Sequence, residues 1–497
     1  MTTRIDHWID GRRAASSSGR TGPVFNPATG VQTAEVGFAS AAEVDRAVTS
    51  AREAAREWRR ASLSRRSAVL FRFRELLADG AEDLARIVTS EHGKVLSDAA
   101  GEVARGIENV DYACGIPTLL AGRYAERAST GVDVYSVRQP LGVVAGITPF
   151  NFPAMVPLWM CASAIACGNA FVLKPSEKDP AASMLLAELF AEAGLPDGVF
   201  NVVQGDKVAV DTLLAHPDVR AISFVGSTPI ARYIYEEAAR HGKRVQALAG
   251  AKNHMVVLPD ADVQMAADAA VSAAYGSAGE RCMAVSVVVP VGRVAEPLVQ
   301  SITERLSSLR IGSGLDETSE MGPLVTKEHR EKVASYMDSA AKQGAKVLVD
   351  GRDHPLYGKD GFFFGASLID QVTPEMDCYR DEIFGPVLSV VRTGTYDEAM
   401  ALVNSNPWGN GAAIYTRDGG AARRFQEEVE AGMVGVNVPI PVPVGYFSFG
   451  GWKASLFGDT HIYGPESINF YTRGKVVTER WPDPSTSALD LGFPQNR

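Results

Sequence analysis

Ala221-Ile222-Ser223-Phe224-Val225-Gly226-Ser227-Thr228-Pro229 is the stretch that decides the fold. The run up to Val225 is apolar and of strand length, and Gly226 turns the chain. Thr228 then offers a cap, and Pro229 fits a first helical turn. A strand that passes directly into a helix start is a βα unit. A helix start aimed off the carboxyl end of a parallel strand suits an anion such as a pyrophosphate, although a merely well-capped helix has the same local signature. Two further strands precede it, Phe171-Val172-Leu173-Lys174 and Gly198-Val199-Phe200-Asn201-Val202-Val203. Such alternation predicts α/β layers built on a parallel sheet. The chain has no G-x-G-x-x-G here, so the standard dinucleotide fingerprint is absent.

Working outward, residues 41–125 read as long helices rich in Ala, Arg and Glu, and Tyr135 to Ile147 reads as strand. A second α/β block runs from about Ala249 to about Gly445. Ala154 to Leu173 is strongly apolar, but Pro157, Ser163, Gly168 and Asn169 interrupt it, and it reads as a buried helix leading into a strand rather than a membrane span. Near the other end, Ile468 to Val477 reads as an isolated strand of the kind that pairs with another subunit's edge, and the tail after Trp481 is expected to be mobile.

With 497 residues, 46% hydrophobic and 22% charged, the chain has the make-up of a globular protein with two or three packed layers. A net charge of -10 argues against nucleic acid as a partner, because phosphate backbones need a basic footprint. The five cysteines, Cys114, Cys161, Cys167, Cys282 and Cys378, are odd in number and contain no C-x-x-C. That pattern suggests neither a disulfide framework nor a metal site, and it fits reduced thiols in the cytoplasm. The opening residues carry Asp6 and Asp10 without an apolar run, so no targeting signal is expected.

Four short segments carry candidate chemistry. Cys282 lies in Ser277-Ala278-Gly279-Glu280-Arg281-Cys282-Met283-Ala284. A lone cysteine is usually an apolar filler, but the Gly279 backbone is permissive and the Arg281 charge is expected to favour the thiolate. Asn151, in Thr148-Pro149-Phe150-Asn151-Phe152-Pro153, follows an apolar strand; its amide suits an oxyanion, and equally an Asx turn. Lys174-Pro175-Ser176-Glu177 sets a cation and a carboxylate at a strand end, a pair that can grip ribose hydroxyls and disfavour a 2′-phosphate, or can be a plain surface ion pair. Arg105, in Val103-Ala104-Arg105-Gly106-Ile107-Glu108-Asn109, reads on its own as a solvated helix charge.

In this order and spacing the Asn151-Phe152-Pro153 turn, the Lys174–Glu177 segment, Phe224-Val225-Gly226-Ser227, the cysteine loop and Glu382-Ile383-Phe384-Gly385-Pro386 resemble the aldehyde dehydrogenase superfamily over essentially the whole chain. The resemblance implies an α/β, aldehyde dehydrogenase-like fold. A Rossmann-type NAD-binding domain would span residues 1–120 and 141–248 and an α/β catalytic domain 249–445, with β oligomerisation strands at 121–140 and 465–480 and a mobile tail at 482–497. It makes Cys282 the nucleophile, with Asn151 and the Cys282 backbone N–H as the oxyanion hole. It assigns NAD to Thr148, Phe150, Lys174, Glu177, Gly226, Ser227, Glu382 and Phe384, with Lys174 and Glu177 on the adenosine ribose, Ser227 at the pyrophosphate and Glu382 on the nicotinamide ribose. It implies a homotetramer, with no metal.

One departure from the superfamily pattern is informative. Hydrolytic members carry a Glu that activates water two residues before a glycine pair, and here that position is Leu248, in Leu248-Ala249-Gly250-Ala251-Lys252. Gly250-Ala251-Lys252-Asn253-His254, the Asn151 turn, the cysteine loop and Phe447-Ser448-Phe449-Gly450-Gly451-Trp452-Lys453 are similar to the CoA-acylating branch. That branch oxidises methylmalonate or malonate semialdehyde with NAD, loses carbon dioxide and releases propionyl-CoA or acetyl-CoA. The resemblance adds coenzyme A as co-substrate and makes Arg105 and Arg281 the ligands of the substrate carboxylate. Cys161-Ala162, where the branch tends to have Phe-Pro, and Tyr446 in place of a frequent Phe bear on pocket shape rather than chemistry.

Overall fold

A computed structural model describes residues 3–486 together with Leu489 and Leu491. Its largest sheet has eight strands in the order Leu456–Phe457, Arg244–Leu248, Val219–Val225, Val143–Ile147, Ala170–Lys174, Phe200–Val202, His7–Ile9 and Arg12–Ala14. The five strands from Arg244–Leu248 to Phe200–Val202 run parallel, and antiparallel strands close both edges. Their sequences are nearly continuous apolar runs because helices cover both faces of the sheet. Alternation decides which side chain meets which layer: Val143, Ala145, Ile147, Ala170 and Val172 join one core, and Val144, Phe171 and Leu173 join the other.

A second sheet of seven strands runs Lys346–Val349, Ser367–Asp370, Val387–Val390, Val285–Pro290, Asn253–Val257, Gly411–Tyr415 and Met433–Val436, parallel except at its first strand. It holds its own apolar core, which includes Met255, Val288, Leu388 and Ile414. Both sheets expose one row of strand carboxyl ends, the place where an open parallel sheet collects ligands. From the first sheet come the turns after Ile147, Lys174 and Val225.

The apolar stretch from Ala154 is the helix Met155–Ala166, buried along its whole length, followed by the strand Ala170–Lys174. Among the described residues no helix is long and apolar enough to cross a membrane. Three local expectations need correction. Tyr135 to Ile147 is divided between Val132–Pro140 and Val143–Ile147, which belong to different sheets. The helix after Val225 starts at Thr228, so its cap is Ser227 rather than Thr228. The C-terminal arm begins as a helix, Gly464–Tyr471, and becomes strand only at Thr472–Arg480. That strand pairs antiparallel with Val132–Pro140 over its nine residues, in a three-stranded sheet completed by Tyr124–Ser129. Of the tail expected to be mobile, residues 487, 488, 490 and 492–497 lie outside the described residues.

Candidate active site

Three successive left-handed residues, Ser277 (φ 53°), Ala278 (φ 50°) and Gly279 (φ 73°), lead the chain into Cys282. Two of the three carry a side chain in a conformation that only glycine adopts freely, and such strain persists only where the surroundings fix the backbone. Gly279 itself lies against the Gly385 carbonyl, which a Cβ would approach to 2.2 Å. Beyond the turn, the Cys282 carbonyl accepts from Asn253 Nδ2 at 2.9 Å and from Asn410 Nδ2 at 3.1 Å. Asn253 also donates to Ala284 O and accepts from Gly411 N, so the loop is sewn to two strands of the seven-stranded sheet.

The Asn151 turn is held from the other side. Lys94 Nζ donates to Asn151 O at 2.6 Å and to Glu102 Oε2 at 2.8 Å, while Glu102 Oε1 accepts from the N–H groups of Ala154 and Met155. Lys94 and Glu102 are both buried, so this ion pair is secured by the extra hydrogen bonds that a buried pair requires. Asn151 Nδ2 donates one hydrogen to Glu280 O at 3.1 Å and retains a second. The helix Leu96–Cys114 carries Asp98, Glu102 and Arg105 at intervals of four and three, which puts them on one face.

Two cavities meet at the cysteine. One, of about 240 Å³, is lined by Phe150, Asn151, Lys178, Gly226, Ser227, Ala249, Gly250, His329, Lys332, Glu382 and Phe384 among others. The second, of about 260 Å³, is bounded by the apolar side chains of Phe152, Met155, Trp159, Met283, Ile440, Val442 and Phe449 and by Asp98, Glu102, Arg105 and Arg281. Cys282 lines both. In the first, the helix Thr228–Arg240 presents its N-terminus, where the Ser227 cap makes no side-chain hydrogen bond of its own. Gly250 forms bare floor, because a Cβ there would lie 2.5 Å from Glu382 Oε2 and 2.7 Å from Thr228 Oγ1. A one-sided apolar chamber ending in arginines, a thiol, and a helix-terminus cavity beyond it suit a carbonyl held between a cofactor and an anionic tail.

The sequence pattern of the aldehyde dehydrogenase family matches residues 14–477. The chain belongs to the aldehyde dehydrogenase family. Its mixed α/β fold is that of the family's solved structures. A malonate-semialdehyde dehydrogenase from Pseudomonas aeruginosa is 55% identical, with 99% of both chains covered. A structure from Sinorhizobium meliloti 1021, assigned as a methylmalonate-semialdehyde dehydrogenase and complexed with NAD, is 54% identical and superposes with a TM-score of 0.96, covering 98% of this chain and 100% of that one. A methylmalonate-semialdehyde dehydrogenase structure from Oceanimonas doudoroffii is 53% identical, with a TM-score of 0.96 over 98% of this chain and 99% of that one.

In this aldehyde dehydrogenase, Cys282, Asn151, Phe150, Gly226, Ser227, Glu382 and Phe384 share one cavity. Lys174, Glu177 and Thr148 stand outside its lining. Lys174 Nζ meets Glu177 Oε2 at 3.2 Å, and the Thr148 hydroxyl is buried without a partner. Burial opposes ionisation of Glu177, but the Lys174 charge and hydrogen bonding hold its carboxyl below the usual range. Arg105 and Arg281 line the other chamber, each tied to an acid: Arg281 Nη2 to Asp98 Oδ1 at 2.6 Å, and Arg105 to Glu108. Arg105 Nη2 also donates to Pro443 O at 2.5 Å.

Arg281 favours the thiolate, as the sequence suggests, but burial of the thiol outweighs it. Burial pushes Cys282 up to about 12, the Glu382 charge adds to the rise, and the nearby backbone N–H groups and Arg281 only partly offset it. The Arg281 charge is also engaged by Asp98, and burial is the largest influence on the thiol. Burial also raises Glu382, to about 7, against the Ala251 N–H and the lysines Lys252 and Lys332. The residues that sequence reasoning missed are Lys178, whose ammonium lies 4.4 Å over the Phe150 ring, with His329, Lys332, Lys94, Glu102, Asp98 and Asn410. Asn253 was legible as part of the Gly250-Ala251-Lys252-Asn253-His254 segment; the others have no local pattern that marks them.

Proposed function

We propose that this aldehyde dehydrogenase oxidises malonate semialdehyde or methylmalonate semialdehyde with NAD, loses carbon dioxide, and hands the remaining acyl group to coenzyme A as acetyl-CoA or propionyl-CoA. The reading rests on one observation above all: the Cys282 thiol stands at the junction of the two cavities. The names of its relatives support the substrate, and the complex of the Sinorhizobium structure supports NAD.

The residues present fit NAD. The Thr228–Arg240 helix terminus with Gly226 and Ser227 would take the pyrophosphate, Glu382 across the bare Gly250 floor would take the nicotinamide ribose, and Lys174 with Glu177 the adenosine ribose. Phe150, Phe384 and the unpartnered Thr148 hydroxyl complete the set. NAD, when bound, supplies a cationic ring and accepts the hydride.

Cys282, once deprotonated, adds to the aldehyde carbon, and the free hydrogen of Asn151 Nδ2 with the Cys282 N–H stabilises the oxyanion. Collapse leaves an acyl group on Cys282 as a thioester. The thioester carbonyl then serves as electron sink while the bond from the α carbon to the carboxylate breaks, and the same donors stabilise the enolate. Arg281 and Arg105 orient the carboxylate through charge-assisted hydrogen bonds. Leu248, 3% exposed and packed in the core, offers nothing to activate water, so the thiol of coenzyme A is the acceptor. Five free cysteines suit a reducing compartment, and we place the enzyme in the cytoplasm. The open outer edge of the Thr472–Arg480 strand is the surface we assign to homotetramer assembly.

Mass analysis of the products formed from methylmalonate semialdehyde, NAD and coenzyme A tests the proposal. Propionyl-CoA and NADH in equal amounts are expected. Free acid with coenzyme A unconsumed overturns it.

A further inference from the structure

The two arginines of the acyl chamber are held by acids in different ways. Glu108 uses both oxygens, one on Arg105 and the other on the Gly445 N–H at 2.7 Å, and so acts as a clamp between the Leu96–Cys114 helix and the 443–445 loop. Asp98 uses one. Its Oδ1 accepts from Arg281 at 2.6 Å, while Oδ2 is buried with no hydrogen-bond partner among the described residues. Arg281 is seated with its guanidinium against Gly276, where a Cβ would lie 2.5 Å from Nη1. Asp98 and Arg281 both line the chamber that contains Cys282 and a neighbouring cleft of about 620 Å³. Asp98 is held through one oxygen only, whereas Glu108 is held through two.

We propose that Asp98 is a positioning and specificity residue that competes with the substrate carboxylate for Arg281, so that the carboxylate is recognised yet held loosely enough to leave. The inference rests on the reading above, that the substrate carries a carboxylate which is lost. An arginine bound to that carboxylate alone would stabilise the state that precedes decarboxylation more than the transition state, where the negative charge has moved away. The step breaks the bond between the α carbon and the carboxylate. Its electron pair moves onto the thioester carbonyl oxygen, carbon dioxide departs, and the α carbon then takes a proton from solvent. No oxidant is required. As the anion disappears, Arg281 would be left as a partly buried, unpaired cation, and Asp98 restores its partner.

The test is Asp98→Asn assayed with malonate semialdehyde, NAD and coenzyme A, with propanal as the neutral control. The amide still fills the site but no longer competes as an anion. The apparent KM for malonate semialdehyde should fall about tenfold while that for propanal changes far less. Part of the product should appear as malonyl-CoA in place of acetyl-CoA, and Asp98→Glu should restore acetyl-CoA. Should the Asn variant not fold, Asp98→Ser carries the same expectations. An unchanged or higher KM for malonate semialdehyde, with acetyl-CoA as the sole ester, overturns the role of Asp98 alone. A wild-type enzyme that forms no CoA ester overturns the underlying reading and this inference with it.

Discussion

Glu280 sits two positions before the cysteine with no exposed surface, and among the described residues its Oε2 has no hydrogen-bond partner. His92 Nε2, also unpartnered, is 3.9 Å away, and burial holds that imidazole well below its ordinary range, so it brings no compensating charge. Burial therefore keeps Glu280 protonated up to about 8, against the Val325 N–H and the nearby lysines. The sign of the consequence is fixed by linkage. The unfolded chain releases this proton near the ordinary value of 4.5, so between there and about 8 the folded chain binds more protons, and stability falls as pH rises through that window. Glu280→Gln removes the contribution. Its melting temperature should fall less than the wild type's between about pH 5 and about pH 8, by a few degrees. Equal falls would mean that Glu280 is not held neutral. The sequence marks Cys282, Asn151 and both chamber arginines as candidates, and all four line the two cavities. Glu108 stands three positions from Arg105 on one helix, but the acid that neutralises Arg281 has no local signal, because Asp98 stands 183 positions away.

At the scale of elements, the strand-to-turn junctions were the readable part, since apolar runs ended by Gly or Pro leave few alternatives. The capping residue was misread because tertiary contacts claim Thr228: its hydroxyl accepts from Gly250 N at 3.1 Å and from Trp408 Nε1 at 2.9 Å, and Ser227 is left at the cap. The arm was misread because Ile468, Phe470 and Tyr471 favour strand by composition, whereas Gly464 and Pro465 start a helix whose Ile468, Phe470 and Tyr471 join the core containing Met155–Ala166. The Gly250 turn joins the two sheets' loops, with Glu382 Oε1 accepting from Ala251 N at 2.8 Å. Gly250→Ala would set a methyl against Glu382 and Thr228, whose retreat would disturb their hydrogen bonds to Ala251 N and to Gly250 N and Trp408 Nε1. The KM for NAD should rise about tenfold or more, in line with the loss of one charge-assisted contact, and NADH binding followed by fluorescence should weaken in parallel. An unaltered affinity would remove this cavity from consideration as the cofactor site.

Across the whole molecule, the eight-stranded sheet supplies the Asn151 turn and the Thr228–Arg240 helix, and the seven-stranded sheet supplies the anchors of the Cys282 loop. The Cys282 thiol lies on the seam between them. Each sheet has its own core, so the seam is formed by turns and loops rather than by regular structure, which is where binding residues concentrate. Leu248 belongs to this picture as a core residue at the end of its strand, with an aliphatic side chain that cannot take a proton from water. Under the proposed function, an acyl group on Cys282 waits for a thiol because water has no assistance. The most direct measurement mixes enzyme with NAD and malonate semialdehyde without coenzyme A and follows NADH by stopped flow. A burst of about one NADH per active site is expected, then slow release, with turnover restored when coenzyme A is added. Sustained NADH production at the full rate without coenzyme A, accompanied by free acid, would contradict it.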